Sequence, residues 1–157
     1  MADLRMIIET VKSLESVELL ETLTEKRIRV KIKKGMLHRL CECLLRLGFD
    51  HCSCISAVDY IDHFTLVYSF WSTKGKIGLD AYVDLGREEH VPSISGYYGG
   101  ANWHEREAFD MMGIVFDGHP NLRRILLSED VTYFPLRKGF RMQDDSEGEP
   151  TTPKEGT

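Results

Sequence analysis

Two stretches of the chain space their apolar residues as an amphipathic helix does. Near the start, apolar residues recur every three or four positions: Leu4, Ile7, Ile8, Val11 and Leu14. This spacing predicts a short helix over residues 3–14. The same spacing predicts a second helix over residues 36–47, and Gly48 is placed to end it. Each helix has one apolar face that other elements must cover.

Elsewhere apolar and polar residues alternate singly, as in a strand with one wet face. The segment RIRVKIK at 27–33 shows this pattern, and LLETLT just before it is a candidate hairpin partner. Three further strands are predicted over residues 52–59, 64–71 and 76–85. The order of helix, strands, helix and strands predicts an α+β fold, in which helices pack on one face of a small mixed sheet.

The C-terminal third of the chain begins with a predicted helix and continues as a loop and an extended end. Asn102 followed three residues later by Glu105 resembles a capping box, and Gly113 is placed to stop the helix. The helix crowds several charged residues onto about three turns. Its tryptophan and charges, Trp103, Arg106, Glu107 and Asp110, fall on one side, which we expect to face water or another protein.

These patterns divide the chain into three parts. Residues 1–95 are predicted to form an α+β domain, and residues 96–141 a helix-loop-extended segment of the same domain. In the remaining stretch, residues 142–157, everything beyond Met142 is acidic, rich in Pro, Gly and Thr and free of large apolar side chains. Such a stretch cannot offset its ordering entropy by burial, so a disordered tail is predicted there.

Composition narrows the class of protein. With 157 residues, of which 42% are hydrophobic, the chain can bury one core. Its formal charge of -5 gives no general attraction for phosphates, which disfavours a nucleic-acid partner. No apolar run approaches the roughly 20 residues of a membrane-spanning helix, and the start does not resemble a signal peptide. We therefore expect a cytoplasmic location, with membrane contact only through partners.

Four cysteines form two C-x-C pairs: Cys41, Cys43, Cys52 and Cys54. Structural zinc and iron-sulfur sites normally use C-x2-C or comparable spacing, and residues 41 and 43 point in different directions on a helix. Buried or half-buried free thiols are therefore the prediction. A free-standing metalloprotein that uses the four cysteines is the alternative.

Motifs for independent catalysis are incomplete. His104-Glu105 begins like the H-E-x-x-H motif of zinc hydrolases, but Ala108 occupies the place of the second histidine. The sequence has neither a P-loop, nor a G-x-G-x-x-G, nor a G-x-S-x-G motif. An acid/base enzyme using Glu105, Glu107 and Asp110 is a further alternative, which would require a substrate pocket.

The C-terminal stretch resembles a known family signature. The match lies in ANWHEREAFDMMGIVFDGHPNLRRILL, followed by PLRKGF. It is similar to the signature of the 30-kDa subunit of proton-translocating NADH:quinone oxidoreductase. Related subunits occur in archaeal F420H2 dehydrogenases, energy-converting [NiFe] hydrogenases and sulfur reductases. Gly139 stands where the family has an acidic residue, and the extension behind it is short, which favours an archaeal or hydrogenase-type relative.

The resemblance implies a non-catalytic scaffold subunit of the peripheral arm, at the cytoplasmic face of the membrane. It would dock on the large catalytic subunit beside iron-sulfur subunits, in an assembly that couples electron transfer to ion translocation. The resemblance implies no cofactor, no metal and no catalytic residue in this chain. The residues implied to dock and form ion pairs are Trp103, Glu105, Arg106, Glu107, Asp110, His119, Arg123, Arg124, Arg137 and Lys138.

The purified chain is expected to contain no stoichiometric iron, zinc or nickel, because the cysteine spacing does not let four sulfurs converge on one ion. Elemental analysis and the visible absorption spectrum measure this directly. One tightly bound equivalent of metal, lost when all four cysteines are replaced by serine, would establish the metalloprotein alternative.

Overall fold

The computed structural model describes residues 4–14 and 17–141, and the predicted tail at 142–157 lies outside the described residues. In chain order the elements are α1 (Leu4–Lys12), β1 (Val17–Thr24), β2 (Arg27–Ile32), a single 3-10 turn (Lys34–Met36), α2 (Leu37–Arg46), β3 (His51–Asp59), β4 (His63–Ser72), β5 (Ile77–Gly86), β6 (Val91–Pro92), α3 (Ala101–Met112) and β7 (Phe116–Asp117). Five of the strands form one sheet in the order β1-β2-β5-β4-β3, with β2 and β5 parallel and the other pairs antiparallel. A short parallel pair, β6 with β7, forms a separate sheet.

One face of the sheet forms the core, because the apolar residues of neighbouring strands are in register. Across the central antiparallel pair, buried residues face one another: Phe64 with Leu85, Leu66 with Val83, Tyr68 with Ala81, and Phe70 with Leu79. The opposite face carries ion pairs, including Arg27–Asp80 and Lys31–Asp84. The predicted α+β fold is therefore confirmed, as is the alternation from which it was inferred.

The two N-terminal helices supply the other side of the core. Ile7 and Val11 of α1 and Leu40 and Leu44 of α2 join the strand residues in one buried cluster. Gly48 has a φ of +87° just after α2, which confirms its predicted role in ending that helix. No helix in residues 4–14 and 17–141 combines the length and hydropathy needed to span a bilayer.

The cysteines are thiols in or near the core. Cys41, Cys43 and Cys52 are buried and Cys54 is half-buried, which confirms the predicted thiol environment. Burial raises the pKa of Cys41 well above its usual value, and it raises that of Cys52 to about 12, so both thiols stay protonated near neutral pH. Within the described ranges, no group of three His, Cys, Asp or Glu residues is arranged to hold a metal ion.

Candidate docking surface

Glu105 bonds α3 to the loop that precedes it. It does not form the predicted capping box. Gly100 is the N-cap, with no side-chain cap bond. Glu105 instead accepts a hydrogen bond from the Ser93 hydroxyl at 2.6 Å and one from the Ile94 N–H at 2.7 Å. Burial raises the pKa of the Glu105 carboxyl, although these two bonds act to lower it. The capping-box prediction was wrong, because the Glu105 carboxylate is hydrogen-bonded to the loop at Ser93 and Ile94.

His119 lies beside Glu105 with a fully buried side chain. The Asn121 N–H donates to its Nδ1 at 3.0 Å, and its Nε2 lies 3.1 Å from the carbonyl of Asn102. A backbone N–H can only donate and a carbonyl can only accept, so Nδ1 is the acceptor and Nε2 carries the proton. The Glu105 Oε2 is 3.9 Å from Nε2. His119 therefore fixes the loop after β7 to the start of α3.

Asp110 is the most completely bonded side chain of α3. One carboxylate oxygen accepts three successive backbone N–H groups, those of Ile125, Leu126 and Leu127, at 3.0, 2.7 and 3.0 Å. The other accepts from Arg124 Nη1 at 2.7 Å. Burial alone would raise the pKa of Asp110, but these donors outweigh it and lower the pKa to about 2.

Arg106 fastens the same loop from the preceding turn of α3. Its Nε donates to the carbonyl of Arg123 at 3.1 Å and its Nη2 to that of Arg124 at 3.3 Å. The guanidinium also lies over the Trp103 ring, 5.0 Å from its centroid. The expectation that this charged side of α3 faces water or another protein was wrong for Arg106 and Asp110, because residues 123–127 of the same chain cover them.

A second fastening holds the chain beyond residue 130 against the end of α3. The Arg137 Nε donates to the carbonyl of Met112 at 2.7 Å, and the guanidinium groups of Arg124 and Arg137 both lie over the Phe134 ring, 5.1 and 4.5 Å from its centroid. Gly113 permits this approach. Its φ is +71°, and a Cβ there would lie 2.7 Å from both the Phe134 ring and the Arg137 guanidinium.

The loop fastened in this way exposes large apolar side chains. Together with the exposed Glu107, Arg123 and Lys138 they form what we call the docking surface. Its apolar members, with their exposed fractions, are Trp103 (62%), Leu126 (65%), Tyr133 (48%) and Leu136 (55%). Sequence reasoning included Trp103 and, through the PLRKGF part of the matched signature, Leu136. It missed Leu126 and Tyr133, for which isolated apolar residues within a charged loop were the signal available.

The predicted site residues therefore separate into two groups. Glu105, Asp110 and the His119 side chain are inaccessible, and the Arg106 and Arg124 side chains are nearly so. Trp103, Glu107, Arg123 and Lys138 are exposed, and Arg137 is half-buried. Because neither Glu105 nor Asp110 has any exposed surface, a substrate cannot reach them for acid/base chemistry.

Comparison with known proteins places this surface in a family context. The model of the family described as the 30-kDa subunit of respiratory-chain NADH dehydrogenase matches residues 30–146. The corresponding subunit of the NADH-quinone oxidoreductase from Chloroherpeton thalassium is 44% identical over 102 residues, which cover 63% of this chain and 42% of that protein. The chain spans about half the length of such relatives.

Two solved structures share the fold at low sequence identity. A trypsin-resistant fragment of Nqo5 superposes with a TM-score of 0.68 at 24% identity, covering 77% of this chain and 100% of that one. A chain of the membrane-bound sulfane sulfur reductase, an archaeal respiratory membrane complex, gives 0.78 at 18% identity, covering 88% and 85%.

Arg124→Ala is expected to destabilise the isolated chain by about 3 kcal/mol, because it leaves the buried Asp110 carboxylate without its cationic partner. Arg123→Ala is the matched control, since it removes the same side chain from an exposed neighbouring position and should change stability by about 0.5 kcal/mol or less. Urea unfolding measures both. Equal effects of the two substitutions would contradict the assignment of Arg124 to an internal bond.

The Asp110 carboxylate also predicts how stability depends on pH. Its pKa is about 2 in the folded chain and 3.8 ordinarily, so its contribution is present above pH 4 and is lost as the pH falls through 2. The difference in unfolding free energy between wild type and Asp110→Asn should therefore shrink by roughly 2 kcal/mol between pH 5 and pH 2. Parallel curves for the two proteins would show that Asp110 titrates normally.

Proposed function

The chain belongs to the family of the 30-kDa subunit of respiratory-chain NADH dehydrogenase, and we propose that it is a non-catalytic scaffold subunit in the peripheral arm of a complex I-like, membrane-associated oxidoreductase. The observation that carries the proposal is the docking surface. Three of its large apolar side chains are exposed on a loop that buried polar bonds hold in place, and the fourth, Trp103, is exposed on α3. Exposed aromatic and aliphatic clusters beside arginine are typical of protein interfaces.

The proposed partner is the large catalytic subunit, with iron-sulfur subunits as further neighbours. The matched relative is named as one subunit of an NADH-quinone oxidoreductase, which supports membership of such an assembly. The chain of the archaeal sulfur reductase supports membership of such an assembly through its fold alone, because its sequence identity is only 18%. Its sequence gives no support for a hydrogenase-type assembly. We place the chain at the cytoplasmic face of the membrane, in contact with the bilayer only through other subunits.

The proposed role is structural because the buried charged residues of the signature already have partners within the chain. Asp110 and Glu105 are fully buried and hydrogen-bonded, and Arg106 and Arg124 bind backbone carbonyls of the described chain. These groups set the shape of the docking surface. The electron donor, the electron acceptor and the ion pathway would then belong to other subunits of the assembly.

The combined Leu126→Ala and Leu136→Ala substitutions are expected to reduce co-purification with the large subunit at least about tenfold, because truncating apolar anchors at an interface costs about 1 kcal/mol or more each. Leu23→Ala with Leu45→Ala is the matched control, since both leucines are 40% exposed and lie outside the docking surface. Both double variants should leave the unfolding midpoint of the free chain nearly unchanged.

The same two double variants test whether the chain is non-catalytic. Activity per assembled complex should stay near the wild-type value, while total activity falls with the amount of complex formed. A Leu126/Leu136 variant that assembles fully and loses turnover would require a direct part in the reaction.

A further inference from the structure

A cationic cleft lies at the tip of the β3–β4 hairpin, where the end of the described chain passes beside it. Its volume is about 380 Å³. Three of its side chains are cationic, those of Arg87, Arg137 and Lys138, and one, Asp59, is a carboxylate. The remaining lining residues are Ile61, Phe134, Gly139 and Phe140.

The carboxylate in this cleft already accepts hydrogen bonds from groups of the same chain. Asp59 is buried, and its Oδ1 accepts from the Ile61 N–H at 2.7 Å and from Arg87 Nη2. Its Oδ2 accepts from the Lys138 N–H at 3.0 Å. Asp59 therefore fixes the backbone at Ile61 and Lys138, and its negative charge offsets the positive charge of Arg87. The neighbouring Asp62 does not line the cleft and contacts His63 instead.

Two cationic groups are left with unused donors. The Arg137 Nε donates to the Met112 carbonyl, and within residues 4–14 and 17–141 neither Nη group has a hydrogen-bond acceptor. The Lys138 ammonium lies over the Tyr60 ring, 5.8 Å from its centroid, and it too has no anionic partner in that part of the chain. Both residues line the cleft, and donors of this kind match the geometry of a carboxylate.

The rim of the cleft holds an apolar side chain in an unusual backbone conformation. Ile61 has a φ of +76°, which is rare for a β-branched residue, and is 70% exposed. Its N–H is bound by Asp59 and its carbonyl by Arg87 Nε at 2.6 Å. Strained conformations persist where the surroundings determine them, so Ile61 is held outward beside the cations.

We infer that this cleft binds an Asp or Glu side chain of a partner polypeptide, with Arg137 and Lys138 as donors and Ile61 as the adjoining apolar contact. The inference rests on the proposed function and names the chemistry of the partner. The cleft is continuous with the docking surface through Lys138, so one partner can occupy both.

The residues that follow Arg141 offer a second source of carboxylates, including Asp144, Asp145 and Glu147. The cleft region exposes two apolar side chains, Ile61 and the half-exposed Tyr60, and that stretch has a single large apolar side chain, Met142, to cover them. A partner surface supplies both an acidic and an apolar group. The partner is therefore the occupant we argue for.

A zero-length carbodiimide cross-link on the purified assembly tests this, since it joins a lysine amine only to a carboxylate in contact with it. Lys138 is expected to couple to an Asp or Glu of another subunit, identified by mass spectrometry. Lys138→Arg should assemble normally and lose that cross-link, because it keeps the charge and removes the amine. Lys74, exposed at the far end of β4, is the control lysine.

Charge reversal gives an independent measurement. Lys138→Glu should reduce retention of the chain in the assembly about tenfold, and reversing the cross-linked partner carboxylate to lysine should restore it. Coupling of Lys138 to Asp144, Asp145 or Glu147 would overturn the inference in favour of the chain's own residues.

Normal assembly of Lys138→Glu, with no cross-link from Lys138, would overturn the inference and leave the proposed function standing. Failure of the unmodified chain to co-purify with any other subunit would overturn both.

Discussion

The position of the C-terminal segment depends on one buried carboxylate. Asp110 receives three consecutive backbone N–H groups from residues 125–127 and the guanidinium of Arg124. No helix or strand is described after Phe116–Asp117, so this loop has no sheet or helix bonds of its own. A carboxylate in a nest of N–H groups replaces them, and the low pKa of Asp110 reflects the strength of that arrangement.

Other charged side chains hold the segments on either side of α3 in the same way. Glu105 fixes the chain before the helix, Arg106 the loop after it, and Arg137 the segment that returns to the helix end. Each group is bonded to backbone atoms rather than to a single opposite charge. Such bonds are directional, and removing either partner leaves a buried polar group unsatisfied, which makes the arrangement specific.

Periodicity was sufficient to predict the sheet and the first two helices because their apolar residues face one core. Ile28, Val30 and Ile32 alternate in sequence and are all buried in the structure. The same reasoning failed for α3, where Arg106 and Asp110 suggested a wet face. Their partners lie 14 to 18 residues further along an irregular loop, and no local pattern encodes that contact. The capping-box prediction for Glu105 was wrong for a similar reason, because its partners Ser93 and Ile94 lie outside the helix.

The way in which the loop is held also explains why its apolar residues stay exposed. A loop fastened by apolar packing would turn Leu126 and Leu136 toward the core, because burial of a leucine side chain is favourable by about 2 kcal/mol. Here the backbone of residues 125–127 is oriented by Asp110, so the N–H groups point inward and the Leu126 side chain is left outward. The buried charges of the signature and the exposed apolar groups beside them are therefore two consequences of one arrangement, and a partner that covers the latter needs no contact with the former.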